Sequence, residues 1–151
     1  MDILAAEQNL KTKLEGAISG IRIEAFPDDP KEYELLHKEG AILIRYDRSV
    51  YEGVPQEKPL REKKISQERR ARWIFTIFYR NLFSHTKSTE GVYTYLENIR
   101  EALTGYTIEG QAHTNISMMY PISDGFVDYD EGVWEYEIVF EHTYPEVEAF
   151  Q

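Results

Sequence analysis

The sequence predicts an α+β domain: a mostly antiparallel four- or five-stranded sheet with two main helices packed on one face. Apolar residues recur at helical spacing in two segments, residues 3–18 and 88–104. Three other segments, 41–46, 69–80 and 133–140, are dense in β-branched and aromatic residues, as strands are. The elements read in the order helix, strand, short helix, strand, long loop, strand, helix, strand, strand, which fits a sheet with its helices on one side.

The first helix rests on Ile3, Leu4, Leu10, Leu14, Ala17 and Ile18, with Asp2 as its N-cap and Ser19-Gly20 closing it. Ile21 to Phe26 alternates weakly and predicts a short strand. Pro27-Asp28-Asp29-Pro30 is a turn, with Asp29 capping and Pro30 starting a short helical segment. Ala41-Ile42-Leu43-Ile44-Arg45-Tyr46 is apolar enough to be a central strand. Residues 47–67 hold Gly53, Pro55 and Pro59 among charges and are expected to form a long loop.

Along residues 69–80, Ala71, Trp73, Phe75, Ile77 and Tyr79 alternate with Arg70, Arg72, Ile74, Thr76, Phe78 and Arg80. The first set is expected to face the core. The second has basic ends and an apolar middle, as if a helix or a neighbouring subunit covered part of that face. Ser88 or Thr89 can cap the second helix, whose buried face is Val92, Leu96, Ile99 and Leu103, with Gly105 beyond its end. A strand is expected from Thr114 to Ile122, then an Asp- and Gly-rich turn over 124–132. The last strand, from Val133, sets Trp134, Tyr136, Ile138 and Phe140 against Val133, Glu135, Glu137 and Val139. Residues 141–151 read as an extended tail that frays or reaches a partner. The 151 residues are the length of one domain, with no internal repeat.

Composition removes several function classes. With no cysteine there is no disulfide, thiolate metal site or thiol nucleophile. No apolar run is long enough to cross a membrane, and residues 1–18 do not resemble a signal peptide, so a protein made and used in the cytoplasm is expected. His37, His85, His113 and His142 are not in metal-binding spacing. A weak site from His113 and His142 with Glu141 or Asp124 needs their strands to pair. Asp124, Asp128 and Asp130 lack the alternating ligands and central glycine of a calcium loop. There is no Gly-rich phosphate cradle and no Gly-x-Ser-x-Gly elbow. The chain is expected to be no enzyme and to use no cofactor.

The formal charge of −10 disfavours nucleic acid, and Trp73 alternates away from Arg70 and Arg72, so stacking and phosphate contacts would not share a surface. The charge is unevenly spread. From Arg48 to Arg72 there are eight Lys or Arg against four Glu, whereas no Lys or Arg follows Arg100 and ten acids run from Glu109 to Glu148. The acidic end of one copy meeting the basic segment of another is a head-to-tail geometry that can close a ring. Phe78, Tyr93, Tyr120, Phe126, Tyr129, Tyr144 and Phe150 exceed what so small a core should hold, and exposed aromatics among charges mark assembly interfaces.

Several stretches, in order over nearly the whole chain, resemble the small tail proteins of Mu-like phages and prophages. They are Ile3-Leu4-Ala5-Ala6-Glu7, Phe26-Pro27-Asp28-Asp29-Pro30, residues 40–46, Gln67, residues 73–80, residues 95–103 with Gly105-Tyr106, and Gly132-Val133-Trp134-Glu135-Tyr136. The resemblance implies a subunit similar to tail-terminator (tail-completion) proteins. Such a subunit forms a ring, typically a hexamer, that caps the tail tube, stops its polymerisation and prepares head joining. Expected partners are then further copies of the chain, the tube protein, and sheath and head-completion proteins. The place is the virion tail, assembled in the host cytoplasm. The family supplies no catalytic residues. The alternatives are a head–tail connector or neck protein of the same fold, or a small ligand- or metal-binding protein. The expected assembly interface sets Arg61, Lys63, Lys64, Arg69, Arg70 and Arg72 against Glu135, Glu137 and Glu141 of a neighbour, with Tyr144 and Phe150 as aromatic anchors.

Overall fold

The computed structural model describes residues 1–27, 40–53, 64–80, 85–112 and 115–149. Helix α1 (Ile3–Ala17) leads to strand β1 (Arg22–Ala25), then β2 (Ala41–Glu52), β3 (Lys64–Arg80), helix α2 (His85–Leu103), β4 (Tyr120–Asp130) and β5 (Val133–Ala149). They form one α+β unit whose five-stranded sheet has the order β1-β2-β3-β5-β4. All neighbours are antiparallel except β1 and β2, which run parallel with Ile23 opposite Ile42.

Both helices pack on one face, for the reason their spacing predicts. Ala6, Leu10, Leu14 and Ile18 of the first segment are buried, as are Val92, Leu96, Ile99 and Leu103 of α2. They share one core with Ile42, Ile44, Trp73, Phe75, Ile77, Tyr136, Ile138 and Phe140 of the sheet. Each such side chain withdrawn fully from water contributes roughly 1.5–3 kcal/mol. Asp2 caps α1 by accepting from the Ala5 N–H at 3.0 Å. Ile3 and Leu4, part of the expected apolar stripe, are instead exposed.

Helix α2 approaches the sheet closely at Gly91, where a Cβ would stand 2.6 Å from the Tyr79 ring. The helix begins at His85, ahead of the expected caps Ser88 and Thr89, which lie inside it. On the other face of the sheet Ala41, Leu43, Phe78 and Val133 form a second buried cluster, and Ile74 and Thr76 are buried too. The apolar middle of that β3 face is therefore already covered within the protomer and needs no neighbour.

Several expected boundaries move. The loop expected over 47–67 is strand at both ends, because β2 continues to Glu52 and β3 begins at Lys64, with Val50 opposite Arg70 and Glu52 opposite Glu68. The expected tail continues β5, registered on β3 as far as Ala149 opposite Lys64. These charged stretches have little apolar signal of their own; pairing with neighbouring strands makes them regular. The strand expected at 114–122 begins only at Tyr120, and most of the expected turn over 124–132 is the rest of β4. The turn itself is Glu131-Gly132, both at positive φ (48° and 81°), the two-residue arrangement whose twist matches a hairpin. The expected short helix after Pro30 lies outside the described residues.

Candidate assembly surface

Two charged regions of the sheet hold most of the described residues expected at an interface. On the strand face away from the helices, Arg72 and Glu141 are directly opposite on β3 and β5. Both Nε (3.1 Å) and Nη2 (2.8 Å) of Arg72 donate to Glu141 Oε1. The Tyr120 hydroxyl donates to the other carboxylate oxygen at 3.3 Å, and Arg70 Nε lies 3.9 Å from it. Arg70 Nη2 also reaches Glu52 at 2.6 Å. Glu141 thus joins β3, β5 and β4 inside one protomer. Its expected role, pairing with the arginines of a neighbour, is met here by its own chain.

Arg69 points to the helix face of the sheet. Its Nε donates to Ser49 Oγ at 2.8 Å, its Nη2 donates to the Tyr46 hydroxyl at 3.3 Å, and its guanidinium lies 5.4 Å from the Tyr51 ring centre. Arg61, Lys63 and Phe150 lie outside the described residues, and Lys64 is placed by its backbone at the start of β3.

The expected aromatic surplus divides. Phe78 and Tyr144 are fully buried, so Tyr144 is a core residue and no surface anchor of the folded chain. Its ring is 4.7 Å from His142, also fully buried, whose Nε2 accepts the Trp73 indole N–H at 3.0 Å. Burial pushes the His142 imidazole down to about 4, so it is neutral at pH 7, and the bond from Trp73 puts its hydrogen on Nδ1. With Trp73 buried, no base can stack on it. The proposed partner of His142, His113, is outside the described residues. Among the described residues no three His, Asp or Glu side chains converge as metal ligands.

Of the other surplus aromatics, Tyr93, Tyr120, Phe126 and Tyr129 are exposed and gather at one edge. Tyr93 (52%), Phe126 (57%) and Tyr129 (51%) surround Trp134 and Tyr136 on the helix side of the β4–β5 ribbon. Ring centres are 4.5 Å apart for Tyr129–Trp134, 5.7 Å for Phe126–Tyr136 and 5.8 Å for Tyr93–Tyr136. Tyr120, Ile122 and Val127 add to the exposed apolar surface of β4, which ends the sheet.

The opposite side of the same ribbon is acidic. Asp128 stands opposite Glu135, with Glu137 two residues along. Burial, reinforced by Asp128 and then Glu137, pushes the Glu135 carboxyl up, and Arg45 pulls against it. The strict alternation of Trp134 and Tyr136 with Glu135 and Glu137 produces these two faces. The aromatic and acidic residues were legible in the sequence; Val127, and the place of β4 as a terminal strand that sets these residues along one edge, were not.

The model of the Gp37 protein family matches residues 10–151. No curated protein matches the sequence. Among solved structures, a chain of the virion of a native gene transfer agent (GTA) particle superposes with a TM-score of 0.56, covering 96% of this chain and 98% of that one at 6% identity. At that identity the likeness is one of fold.

Proposed function

The chain belongs to the Gp37 protein family, and from that premise we propose that it is a virion structural subunit acting at the end of a phage tail. In this reading it forms part of a ring that caps the tube, stops its polymerisation and prepares head joining. The observation that carries the reading is the end-to-end likeness of its fold to a chain of a gene transfer agent virion. The exposed aromatic and acidic flank of β4 supports it, since aromatic side chains among charges are what assembly interfaces use as anchors.

The mechanism is a capping equilibrium. One face of the ring matches the last layer of tube subunits, and the opposite face lacks what the next tube subunit needs, so growth stops when the cap binds. No bond is made or broken. Contacts between apolar anchors supply most of the affinity, while charges set register and approach rate.

The test is the length distribution of tails made when this gene alone is disrupted, read by negative-stain electron microscopy. Overlong or headless tubes, restored by adding the purified protein, are the expected result. Tails of normal length that carry no heads would move the protein to a connector or neck position. Tails of normal length that still join heads would remove both roles.

A further inference from the structure

The outer strands of the sheet are β1 and β4, and the registers between them set the two level. Counted across residues 41–44, 75–78 and 135–138, Arg22 is abreast of Asp128, Ile23 of Phe126, Glu24 of Gly125 and Ala25 of Asp124. β1 is parallel to β2 and each later pair is antiparallel, so β1 and β4 run in opposite directions. A second copy displaced sideways, with its helices on the same side, therefore brings its β1 antiparallel to β4 with these residues abreast. The regular part of β4 between its irregularities is residues 123–126, which matches the four residues of β1.

Residues abreast in the registers share a face of the sheet, and across this contact they are complementary. Away from the helices, Arg22 comes opposite Asp128, which stands beside Glu135. Burial, with Asp128 and Glu137, already pushes the Glu135 carboxyl up, so this face of β4 gains from an added cation. A guanidinium carries five N–H donors, enough to serve a carboxylate of a second copy besides contacts within its own chain. Glu24, held by Lys11 at 3.5 Å, comes opposite Gly125, which has no side chain to crowd it. On the helix side, exposed Phe126 comes beside Ile23 and leaves water.

Further along the strands, Asp130 is level with Val133 and Arg80. At the level of Arg80 a cleft of about 200 Å³ opens between Arg22, Arg80, Tyr79, Tyr95 and the backbone of Gly20 and Gly40. The Tyr95 hydroxyl donates to the Gly20 carbonyl at 3.5 Å and fixes one wall. Among the described residues that line the cleft there are two arginines and no acid, in a chain of formal charge −10. The β4–β5 hairpin ends at the same level, with Asp130 and Glu131 at its tip.

We propose that the β4–β5 hairpin of one copy seats on the β1 edge of a second copy, with Asp128 on Arg22 and the tip acids Asp130 and Glu131 at the Arg22–Arg80 cleft. The two surfaces differ, so the contact is heterologous, and its repetition gives a ring when the rotation closes. Burial of Phe126 supplies affinity, and the ion pairs set the register. The inference rests on the ring reading given above and names the surface that joins the protomers.

With no native cysteine in the chain, crosslinking reads the register directly. Gly125→Cys adds a Cβ that meets no atom within 4 Å, and Glu24→Cys replaces a side chain that is 41% exposed. The two single variants are purified, mixed at high concentration in moderate salt, which screens the overall charge, and treated with a short bis-maleimide. A covalent G125C–E24C dimer, with little product from either variant alone, is the expected result. Asp128→Arg added to G125C lowers the crosslinked fraction several-fold, and Arg22→Asp added to E24C restores it. Circular dichroism checks that each variant is folded.

A G125C–G125C product alone would replace the proposal with a two-fold β4–β4 contact. Equal product when Val50→Cys, on the exposed end of β2, takes the place of E24C would mean contact without this register and would overturn it. A folded chain that stays uncrosslinked would overturn it too. None of these outcomes bears on tail length, so the surface and the terminator reading fail separately.

Discussion

His142 shows what a single buried residue contributes. Its imidazole accepts from the Trp73 indole, and protonation would remove that acceptor and place a charge in the core. Its folded pKa of about 4 lies below the ordinary 6.5, so the unfolded chain binds the proton first as pH falls. Stability from this group is full above pH 6.5 and declines until about pH 4, by at most roughly 3 kcal/mol. Urea midpoints measured across that window should fall with pH. His142→Gln, which keeps an acceptor for Trp73 and cannot titrate, should flatten the profile. Glu141 is the second such residue. Glu141→Ala leaves Arg72 and the Tyr120 hydroxyl without their acceptor. Because Arg72 is partly in solvent, the expected loss is about 1–2 kcal/mol by chemical denaturation, smaller than for a fully buried pair.

At the scale of elements, each helix is fixed to the sheet by a narrow stripe. Leu10 and Leu14 of α1 are fully buried, so Leu10→Ala should cost about 2–5 kcal/mol in the same measurement, while Leu4→Ala, at an exposed position, should be near neutral. The start and the middle of α1 are tied down by polar contacts as well. The Gln111 side chain both accepts from the Asp2 N–H and donates to its carbonyl, and Asn9 accepts from the Tyr106 hydroxyl and the Glu109 N–H. The β4–β5 hairpin depends on its turn. Gly132 has φ of 81°, so Gly132→Val forces a β-branched residue into the left-handed region, at about 1–2 kcal/mol. Tryptophan emission from Trp134, packed on Tyr129 beside this turn, should report the local loosening.

For the whole molecule, the long exposed edge is the feature that matters. An edge strand carrying Tyr120, Ile122, Phe126, Val127 and Tyr129 in contact with water invites pairing with another chain. Self-association through this edge should strengthen as salt rises, because a formal charge of −10 makes copies repel until salt screens it. Sedimentation of the purified chain between low and high salt checks this. Association unchanged by salt would assign it to the aromatic contacts alone. Phe126→Asp should reduce association while leaving the thermal midpoint within a few degrees, since the side chain is already more than half exposed.

The sequence by itself determined the fold class, both helices, the core strands and the list of aromatic and charged residues that form the surface. These follow from spacing: Leu10 and Leu14, or Leu96 and Ile99, repeat with the helix, and Trp73, Phe75 and Ile77 repeat with the strand. Tertiary structure alone decided the rest. Residues 47–52, 64–68 and 141–149 are strand because each lies beside a partner strand, and the charged residues among them carry no local signal of it. Tyr144 and Phe126 are both aromatic residues among acids, yet one is buried beside His142 on β5 and the other is exposed on a terminal strand. Strand order separates them, and strand order is a property of long-range pairing that no short window of sequence encodes.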